Sequence, residues 1–461
     1  MSAGIFDRTP QTVEHIETAY RRISTQIPAP GTDDLLTILD ANESRSMHGQ
    51  MPIVWDRAHD FSIYDRAGNR WIDFTSTIFV ANTGHGNRAV RNAVREVLDK
   101  GMMHSYAYAS EIRASYLERL IEFAPAPVEK AMLFSSGTEA VEAAFKLMRM
   151  QGQKTGKERL GVVCLEGNYH GRTMAAQMLG GGDDQRIWMG KQDPDIHRIG
   201  FPFAWELGDK SGANFFRDSI SSLEKGGIHA KKDICGLLLE GYQGWNAAFY
   251  PTDYVQAAAE WCQENNILLA FDEIQSGFGR TGKKFCFEHY NVKPDLFCCG
   301  KGMGSGIALS GVLGRADIMD LPDVGNMSST NSANPMACAA GLATIKEIER
   351  LNLVAESVRK GRILRRELMK LQSESGGRIS RFSARGLVAA LIFDDVKCGG
   401  SAADFADKVC LKALESGLLV VRTGRESIKI GPPLTIADEA LEEGLGVLGG
   451  AIADVSWSTR T

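Results

Sequence analysis

The sequence predicts an α/β protein with a mainly parallel central sheet that helices cover. From about residue 86 onward, short and almost wholly apolar runs alternate with segments of helical periodicity. Strands that are apolar on both faces are buried on both faces, as they are in a parallel sheet between layers of helices. The apolar runs occupy residues 131–134, 160–165, 234–239, 267–271 and 296–299.

The N-terminal part of the chain has a different pattern. The first 40 or so residues predict an amphipathic helix that is followed by a Pro/Gly stretch at residues 27–31. Residues 61–65 and 70–74 flank a turn at residues 66–69 and predict a β-hairpin. We therefore expect a segment of helix and hairpin before the parallel sheet begins.

Composition and charge exclude several classes of protein. Hydrophobic residues make up 44% and charged residues 24% of the 461 positions, which indicates a soluble globular fold rather than disorder. The formal net charge of -5 argues against a general nucleic-acid surface. We also expect no membrane association, because the chain lacks both a run of about 20 apolar residues and the apolar stretch of a signal peptide at its N-terminus.

The cysteines and histidines indicate a reducing compartment and no metal. None of the nine cysteines stands in a C-x-x-C pair, and most lie in apolar runs. This predicts buried, reduced thiols in a cytoplasmic protein. The nine histidines form no cluster with cysteines at ligand spacing, so a metal site is not expected.

Polar residues follow the predicted strands, and in parallel α/β sheets ligands bind beyond the carboxyl ends of the strands. These residues are Ser136, Gly137 and Thr138 after the first run, Tyr169, His170 and Arg172 after the second, Glu240 after the third, Asp272 after the fourth and Lys301 after the fifth. We expect a hydroxyl-bearing loop, an aromatic ring, an arginine, two acids and a lysine to meet at one edge of the sheet.

Three of these features each have two interpretations from the residues alone. The loop at Ser136 opens a helix, where free N–H groups favour a phosphate, but Ser136 and Glu139 could equally form an ordinary cap. Lys301, bracketed by glycines, is either a solvated lysine or a desolvated amine that can form a Schiff base. Asp272 either caps its strand or pairs with a protonated ring nitrogen, which would make a bound pyridinium an electron sink.

Two nucleotide-binding patterns in the sequence are incomplete. Residues 277–284 nearly match a Walker A loop, but Lys284 stands where the Mg²⁺-binding Ser or Thr is needed. The glycines around Lys301 do not have the G-x-G-x-x-G spacing. Nucleotide hydrolysis and dinucleotide binding are therefore disfavoured.

Taken together, these residues resemble the class III aminotransferases, which are pyridoxal-phosphate enzymes of fold type I. The matching landmarks are residues 82–85, 169–173, 269–282, 293–296, 300–302 and 334–335. The resemblance implies three regions: an N-terminal helix and hairpin segment at residues 1–85, a large cofactor-binding domain at residues 86–335, and a C-terminal segment at residues 336–461. The two terminal segments would together build a small α+β domain.

The resemblance also implies roles for the residues at the strand ends. Lys301 would hold pyridoxal 5'-phosphate as a Schiff base and carry a proton at the substrate Cα, and Asp272 would pair with the pyridine nitrogen. Gln275 would bind the phenolic oxygen of the ring. The remaining cofactor contacts would come from Ser136, Gly137 and Thr138 at the phosphate, Tyr169 at the face of the ring, His170 beside it, and Glu240 nearby. Thr330 matches a threonine that reaches the phosphate across a dimer interface, which implies a homodimer with shared sites.

Two departures from the family's pattern concern the substrate. Many relatives that use 2-oxoglutarate have a glutamate that masks an arginine, and this chain has Trp245 and Lys429 at those two places. Arg172 is kept, and in the family this arginine binds the distal carboxylate of glutamate, so the resemblance implies glutamate and 2-oxoglutarate as one substrate pair. The α-carboxylate would then be held by Lys429, Arg422 or Arg425.

The second substrate stays open at this point. Ile78, Phe79 and Trp245 are expected to shape its pocket, and it could be an amino acid, a terminal amine or an aldehyde on a natural product such as an aminosugar precursor. The main alternative is a racemase, epimerase or aminomutase of the same fold. The replacement of both the masking glutamate and the masked arginine suits an enzyme that does not alternate between two acids. A binding or regulatory protein without chemistry is a further alternative, against which the intact Lys301, Asp272 and Gln275 argue.

Overall fold

The computed structural model describes residues 6–49 and 51–455 of the chain. Its helices are α1 (Thr32–Asn42), α2 (Ser76–Phe79), α3 (Arg88–Asp99), α4 (Glu111–Phe123), α5 (Gly137–Lys154), α6 (Met174–Met178), α7 (Gly212–Lys225), α8 (Ala230–Asp233), α9 (Thr252–Glu264), α10 (Ala316–Met319), α11 (Pro335–Arg350), α12 (Leu353–Glu374), α13 (Ala402–Glu415) and α14 (Asp438–Asp454). Its strands are β1 (Ile16–Glu17), β2 (Arg22–Ile23), β3 (Arg57–His59), β4 (Ser62–Tyr64), β5 (Arg70–Asp73), β6 (Lys130–Phe134), β7 (Gly161–Leu165), β8 (Ile196–Ile199), β9 (Ile234–Glu240), β10 (Leu268–Asp272), β11 (Leu296–Cys299), β12 (Ser310–Gly314), β13 (Ile379–Arg385), β14 (Val388–Phe393), β15 (Leu418–Leu419), β16 (Val421–Arg422) and β17 (Ser427–Ile430).

The described residues divide into two compact units. The terminal unit comprises the residues up to Asn87 together with those from Val358 onward, and the central unit comprises Arg88–Ser357. The sequence placed the second boundary after residue 335, but α11 packs on α3 and α4 and therefore belongs to the central unit. The outermost parts of the two predicted terminal segments, residues 1–5 and 456–461, lie outside the described residues.

The central unit contains the mainly parallel sheet that the sequence predicted. Its strand order is β6-β12-β11-β10-β9-β7-β8. β12 runs antiparallel to both of its neighbours, and the pairs of β10 with β9 and β11, and of β7 with β8 and β9, are parallel. In register, Asp272 lies opposite Glu240 on one side and Cys298 on the other. The carboxyl ends of the central strands therefore meet at one edge, which confirms the predicted α/β architecture.

Apolar burial explains why these segments form the sheet. Every residue of β7, β9, β10, β11 and β12 is buried. α5 packs on β9, β11 and β12 through small and apolar side chains, among them Ala140, Ala144 and Leu147. At Gly236 a Cβ would lie 2.1 Å from Sδ of Met148, so the bare glycine lets this helix approach the sheet closely.

The terminal unit contains two smaller sheets. One has the order β1-β2-β5-β4-β3 with β15 added to β5, and the other has the order β13-β14-β17-β16. The predicted hairpin is confirmed as β4 and β5, and the carboxylate of Asp65 accepts hydrogen bonds from both the backbone and side-chain N–H groups of Asn69 in its turn. This mixture of sheets and helices is the α+β composition that the sequence predicted for the terminal segments.

The helix predicted before residue 27 is wrong. Residues 16–17 and 22–23 instead pair as antiparallel strands, and α1 begins only after the Pro/Gly stretch. The reason is local packing, because Ile23 and Ile27 are buried with Ile63 and Trp71 in one apolar cluster. Short strands bring these two isoleucines into that cluster.

A left-handed turn stands at α2 in the terminal unit. The φ angles of Ser76, Thr77, Ile78 and Phe79 are 46°, 52°, 64° and 67°. The hydroxyl of Ser76 donates to the carbonyl of Gly431 across 2.6 Å. A Cβ at Gly431 would lie 1.8 Å from the Phe79 ring, so the turn and this glycine are packed in direct contact.

All nine cysteines are buried free thiols, as the sequence predicted. Across residues 6–49 and 51–455, no helix is both long and apolar enough to cross a membrane. The same residues contain no group of three or more His, Cys, Asp or Glu side chains arranged to hold a metal ion.

A buried acid holds the loop that follows β10. Glu273 is fully buried, and its carboxylate accepts hydrogen bonds from the Ser276 hydroxyl at 2.6 Å and from the N–H groups of Cys286 and Phe287 at 2.8 Å. Burial raises the pKa of Glu273 to about 7 despite these donors, and the charge of Asp272 adds to the rise. The loop at the carboxyl edge of the sheet is therefore anchored on a carboxyl group that titrates near neutrality.

We expect the stability of the protein to depend on pH through Glu273. Because its pKa in the folded state is raised, the stability that the protonated group contributes is complete below about pH 4.5 and is lost as the pH rises through about 7. The full difference is on the order of 3 kcal/mol in the free energy of unfolding. Melting temperatures measured from pH 5 to 8 should fall more steeply for the parental protein than for Glu273→Gln, which has no charge to lose.

The Glu273→Gln protein should also be less stable at every pH, because an amide cannot accept all three hydrogen bonds. Only the slope of the melting temperature against pH tests whether Glu273 titrates. Glu288→Gln is the control, since Glu288 also accepts a backbone N–H, that of Phe285, at 2.7 Å in the same loop. Equal slopes for the parental and Glu273→Gln proteins would contradict the prediction.

Candidate active site

One cavity of about 370 Å³ lies at the carboxyl edge of the central sheet. Its wall consists of Gly137, Thr138, Tyr169, His170, Gly171, Arg172, Glu240, Tyr242, Asp272, Ile274, Gln275, Ser276 and Lys301. Most of these residues were predicted from the sequence as the polar groups that follow the strands. Gly171, Tyr242, Ile274 and Ser276 were not predicted as site residues.

Lys301 is the basic group of this cavity. It follows β11 through the extended residue Gly300 and has a φ angle of 45°, in the left-handed region that side-chain-bearing residues rarely adopt. Burial lowers the pKa of its ammonium group, and the negative charges of Asp272 and Glu240 offset part of this effect. The result is an amine that is easier to deprotonate than an exposed lysine and that faces two carboxylates.

Asp272 is the last residue of β10 and is held by two hydrogen bonds. Its Oδ1 accepts from the N–H of Ile274 at 3.0 Å, and its Oδ2 lies 2.8 Å from Nδ1 of His170. Nε2 of His170 lies 3.3 Å from Nδ2 of Asn168. With an N–H on Nδ1, the imidazole donates to Asp272 and accepts from Asn168. These linked hydrogen bonds fix the Asp272 carboxylate in the cavity wall.

The N-terminus of α5 presents amide groups to the cavity. Gly137 and Thr138 are its first two residues, at positions where a helix supplies no acceptor for the N–H groups. Oε2 of Glu139 accepts from the N–H of Ser136 at 2.8 Å and from its hydroxyl at 2.9 Å, so the cap is satisfied behind these amides. The cap and the anion site that the sequence offered as alternatives are therefore compatible.

Two glycines let the loops of the cavity approach each other. At Gly137 a Cβ would lie 2.9 Å from Cδ1 of Ile274, in the loop that follows Asp272. Gly171 has a φ angle of 135°, and a Cβ there would lie 2.2 Å from the Thr138 hydroxyl. Any side chain at either position would push the N-terminus of α5 away from its neighbours.

A hydrogen-bonded pair also lines the cavity. The hydroxyl of Tyr242 donates to Oε1 of Gln275 at 3.0 Å. Glu240, the last residue of β9, accepts from the N–H of Gly244 at 3.3 Å. Tyr242 was missed in the sequence because an aromatic residue just after an apolar strand is typical of ordinary core packing.

Tyr169 and Arg172 form the outer part of the wall. The Tyr169 ring is 48% exposed, and the guanidinium carbon of Arg172 lies 5.6 Å from its centroid. Arg172 is exposed, and within residues 6–49 and 51–455 it has no ion pair. A cationic group therefore stands at the rim of the cavity.

Three of the predicted residues in the central unit lie outside this wall. Ser136 stands behind it as the helix cap. Trp245 packs against Phe203, with ring centroids 6.5 Å apart. Thr330 is exposed, and its carbonyl lies 2.9 Å from Nε2 of His104.

Ile78, Phe79 and Lys429 belong to the terminal unit. Lys429 is 4% exposed, and its Nζ lies 4.4 Å from the centroid of the Phe79 ring. Ile78 is 47% exposed. Of the other predicted basic residues, Arg422 forms a two-point ion pair with Asp407 at 2.5 and 2.6 Å, so its guanidinium is already engaged.

Comparison with known proteins gives a consistent result. A family model described as aminotransferase class-III matches residues 44–452. The 4-aminobutyrate aminotransferase of Mycobacterium leprae is 33% identical over 94% of this chain and 98% of its own length. A leucine/methionine racemase of Thermococcus litoralis is 33% identical over 88% of this chain and 91% of its own. A PLP-bound amine transaminase from an uncultivated Pseudomonas species superposes with a TM-score of 0.78 at 26% identity, covering 87% of this chain and 94% of that one.

We expect Lys301 to be modified at lower pH than an exposed lysine such as Lys191. Because Asp272 raises the pKa of the amine against the effect of burial, Asp272→Asn should lower it further and speed acylation near pH 7 by up to about tenfold. The measurement is peptide mass spectrometry after brief acylation at a series of pH values, on protein freed of bound carbonyl compounds with hydroxylamine. Slower labelling of Lys301 in the variant would show that the Asp272 charge does not act in this direction.

Proposed function

We propose that this chain, which belongs to the class III aminotransferase family, transfers amino groups with glutamate and 2-oxoglutarate as one of its substrate pairs. Class III aminotransferases use pyridoxal 5'-phosphate, and the cavity at the sheet edge has the chemistry to hold it. It combines a lysine, an acid at a strand end and the first amide groups of a helix within one wall. The bare Cα atoms of Gly137 and Gly171 let Ile274 and Thr138 pack closely around that helix end.

Each group of this cofactor has a candidate partner in the chain. When bound, the cofactor supplies an aldehyde and an electron-withdrawing ring that takes up the electron pair released at the substrate Cα. Lys301 would hold it covalently and move the proton at the substrate Cα. Asp272, ordered by His170, would keep a proton on the ring nitrogen.

Other residues of the cavity wall would make the remaining contacts with the cofactor. The amides of Gly137 and Thr138 and the Thr138 hydroxyl would bind the phosphate, with Ser136 capping the helix behind them. Gln275 would bind the phenolic oxygen, and Tyr169 would cover the face of the ring. Glu240 contributes negative charge near Lys301.

One observation carries the choice of glutamate. Arg172 stands exposed at the rim of the cavity, beside the Tyr169 ring and without an ion pair among the described residues. A guanidinium binds a carboxylate at two points and does so more strongly than a neutral donor would. The distal carboxylate of glutamate or 2-oxoglutarate is the complementary group, and Lys429 and Arg425 remain the candidates for the α-carboxylate.

The second substrate is proposed as an apolar or ring-bearing compound. Trp245 replaces the acid that masks an arginine in many relatives, and an indole offers a flat surface to an apolar chain or to a sugar ring. An aldehyde of the aminosugar-precursor type is therefore included among the acceptors to be screened, with Ile78 and Phe79 as further pocket residues.

An isomerase is the second candidate function. The observation that favours it is the 33% identity to the leucine/methionine racemase of Thermococcus litoralis. Incubation of the holoenzyme with one enantiomer of leucine or methionine in D₂O, with no keto acid, separates the two activities. Inversion with deuterium uptake and no transfer of the amino group favours the racemase.

Glutamate should convert the bound aldehyde form of the cofactor to its amine form, which changes the visible absorbance. Arg172→Met should raise the glutamate concentration needed for half-maximal conversion by about 10- to 100-fold, because it removes a charge-assisted hydrogen-bonded pair. Alanine, which lacks a distal carboxylate, is the control donor and should be unaffected. Equal use of glutamate by the parental and Arg172→Met proteins would refute the role of this arginine.

A homodimer with shared sites is also proposed, because Thr330 lies outside the cavity wall of its own chain. If a second chain supplies Thr330, a mixed dimer of Lys301→Ala and Thr330→Ala chains contains one complete site. Co-expression of the two chains with different tags should then restore about a quarter of the parental activity, since half of randomly paired dimers are mixed.

The control pairs the Thr330→Ala chain with a chain that carries both substitutions. No complete site can form in that mixture, and half of its chains lack Lys301, so its activity should be about half that of the Thr330→Ala homodimer. Absence of restoration in the first mixture would mean that each chain completes its own site.

A further inference from the structure

Tyr242 is a buried tyrosine in the wall of the cavity that contains Gln275 and Lys301. Its side chain is 2% exposed, and its hydroxyl donates to Oε1 of Gln275 at 3.0 Å. Burial raises the pKa of the Tyr242 phenol well above its usual value. The hydroxyl therefore keeps its proton across the working pH range and acts as a donor.

A donor at Oε1 fixes the orientation of the whole amide. The oxygen and nitrogen of a glutamine amide share one carbon, so the NH₂ group must face away from whatever holds the oxygen. Gly244 lies on the nitrogen side, because a Cβ there would be 3.9 Å from Nε2 of Gln275 and 2.8 Å from Oε1 of Glu240. The reversed amide would turn its oxygen toward Glu240, which is a carboxylate.

We infer that Tyr242 is a positioning residue that holds Gln275 with its NH₂ group directed as a donor to the phenolic oxygen of the cofactor ring. The inference rests on the proposed function, under which Gln275 binds that oxygen. A phenolate oxygen only accepts hydrogen bonds, so it binds the NH₂ end of an amide and is repelled by the oxygen end. The Tyr242 hydroxyl, which donates to Oε1 at 3.0 Å, favours this orientation of the amide.

The tyrosine itself is held from two sides. Its ring packs against Phe249, with centroids 5.1 Å apart. The preceding residue, Gly241, donates its N–H to the Asp272 carbonyl at 3.1 Å and accepts from the Tyr290 hydroxyl at 2.7 Å. The position of the tyrosine is thus set by backbone that follows β9 and is hydrogen-bonded to the end of β10.

The charged and titratable groups around Tyr242 are Arg280, Cys286, Glu240 and Glu273. Arg280 acts against the rise in the tyrosine's pKa, and the two acids and the thiol act with it. None of these groups is altered by a substitution at position 242, so a change seen in Tyr242→Phe belongs to the hydroxyl.

The test uses the holoenzyme and the pH midpoint of the visible absorbance change of bound pyridoxal phosphate. A donor at the phenolic oxygen favours the more negative, deprotonated form of the bound cofactor, so its loss moves the midpoint upward. Tyr242→Phe should raise the midpoint by about half a pH unit, the effect of one weakened neutral hydrogen bond. Gln275→Ala should raise it at least as far, and adding Tyr242→Phe to Gln275→Ala should then change nothing.

Tyr254→Phe is the matched control. Tyr254 is equally buried, and its hydroxyl has no hydrogen-bond partner among the described residues. The pH midpoint of the Tyr254→Phe holoenzyme should equal the parental value. Tyr242→Met gives a second hydroxyl-free side chain in case the phenylalanine variant fails to fold, and it should shift the midpoint in the same direction.

Two outcomes would overturn the inference: an unchanged midpoint in Tyr242→Phe, or the same shift whether or not Gln275 is present. Failure of the proposed function gives a different result. In that case the parental protein, mixed with pyridoxal phosphate, shows no visible band and yields no borohydride-trapped adduct at Lys301.

Discussion

The structure of the site depends on the proximity of a buried amine and buried carboxylates at the edge of one parallel sheet. Removing either charge from water alone is costly, and the opposite charge offsets part of that cost. Asp272 and Glu240 end neighbouring strands in register, so the backbone ladder of β9 and β10 presents both acids at the same level. Lys301 follows the strand on the other side of β10 and meets them there. The amine keeps a lowered pKa without becoming an isolated buried charge.

Close packing of loops links this charged group to the helix that caps the cavity. Ile274, two residues after Asp272, packs beside the bare Cα of Gly137 at the start of α5. Thr138 occupies the space left by Gly171, in the loop that also carries His170. The acid, the imidazole and the helix amides are therefore positioned by the same few contacts, and a change in one loop is transmitted to the others.

Sequence patterns predicted the buried strands of the central sheet and the polar residues that follow them. Runs such as residues 234–239 have no polar residue to make them ambiguous, and the residues that follow parallel strands must meet at one edge. Tyr242 escaped notice because only its hydroxyl distinguishes it from a core aromatic. The strands near residues 16 and 23 were mistaken for helix because two-residue strands have no period to detect. The extent of the central unit to residue 357 was also missed, since α11 looks the same whichever unit it packs in.

The left-handed turn at residues 76–79 has a consequence for how this protein can change. L-amino acids in that conformation carry a conformational cost of about 1–2 kcal/mol each, while glycine and asparagine adopt it readily. Ile78 in the turn is half exposed, so its side chain is weakly constrained by packing. Replacing it with glycine or asparagine would relax the backbone while removing few packing contacts. Substitution of Ile78 by either of these two residues should therefore leave the fold intact.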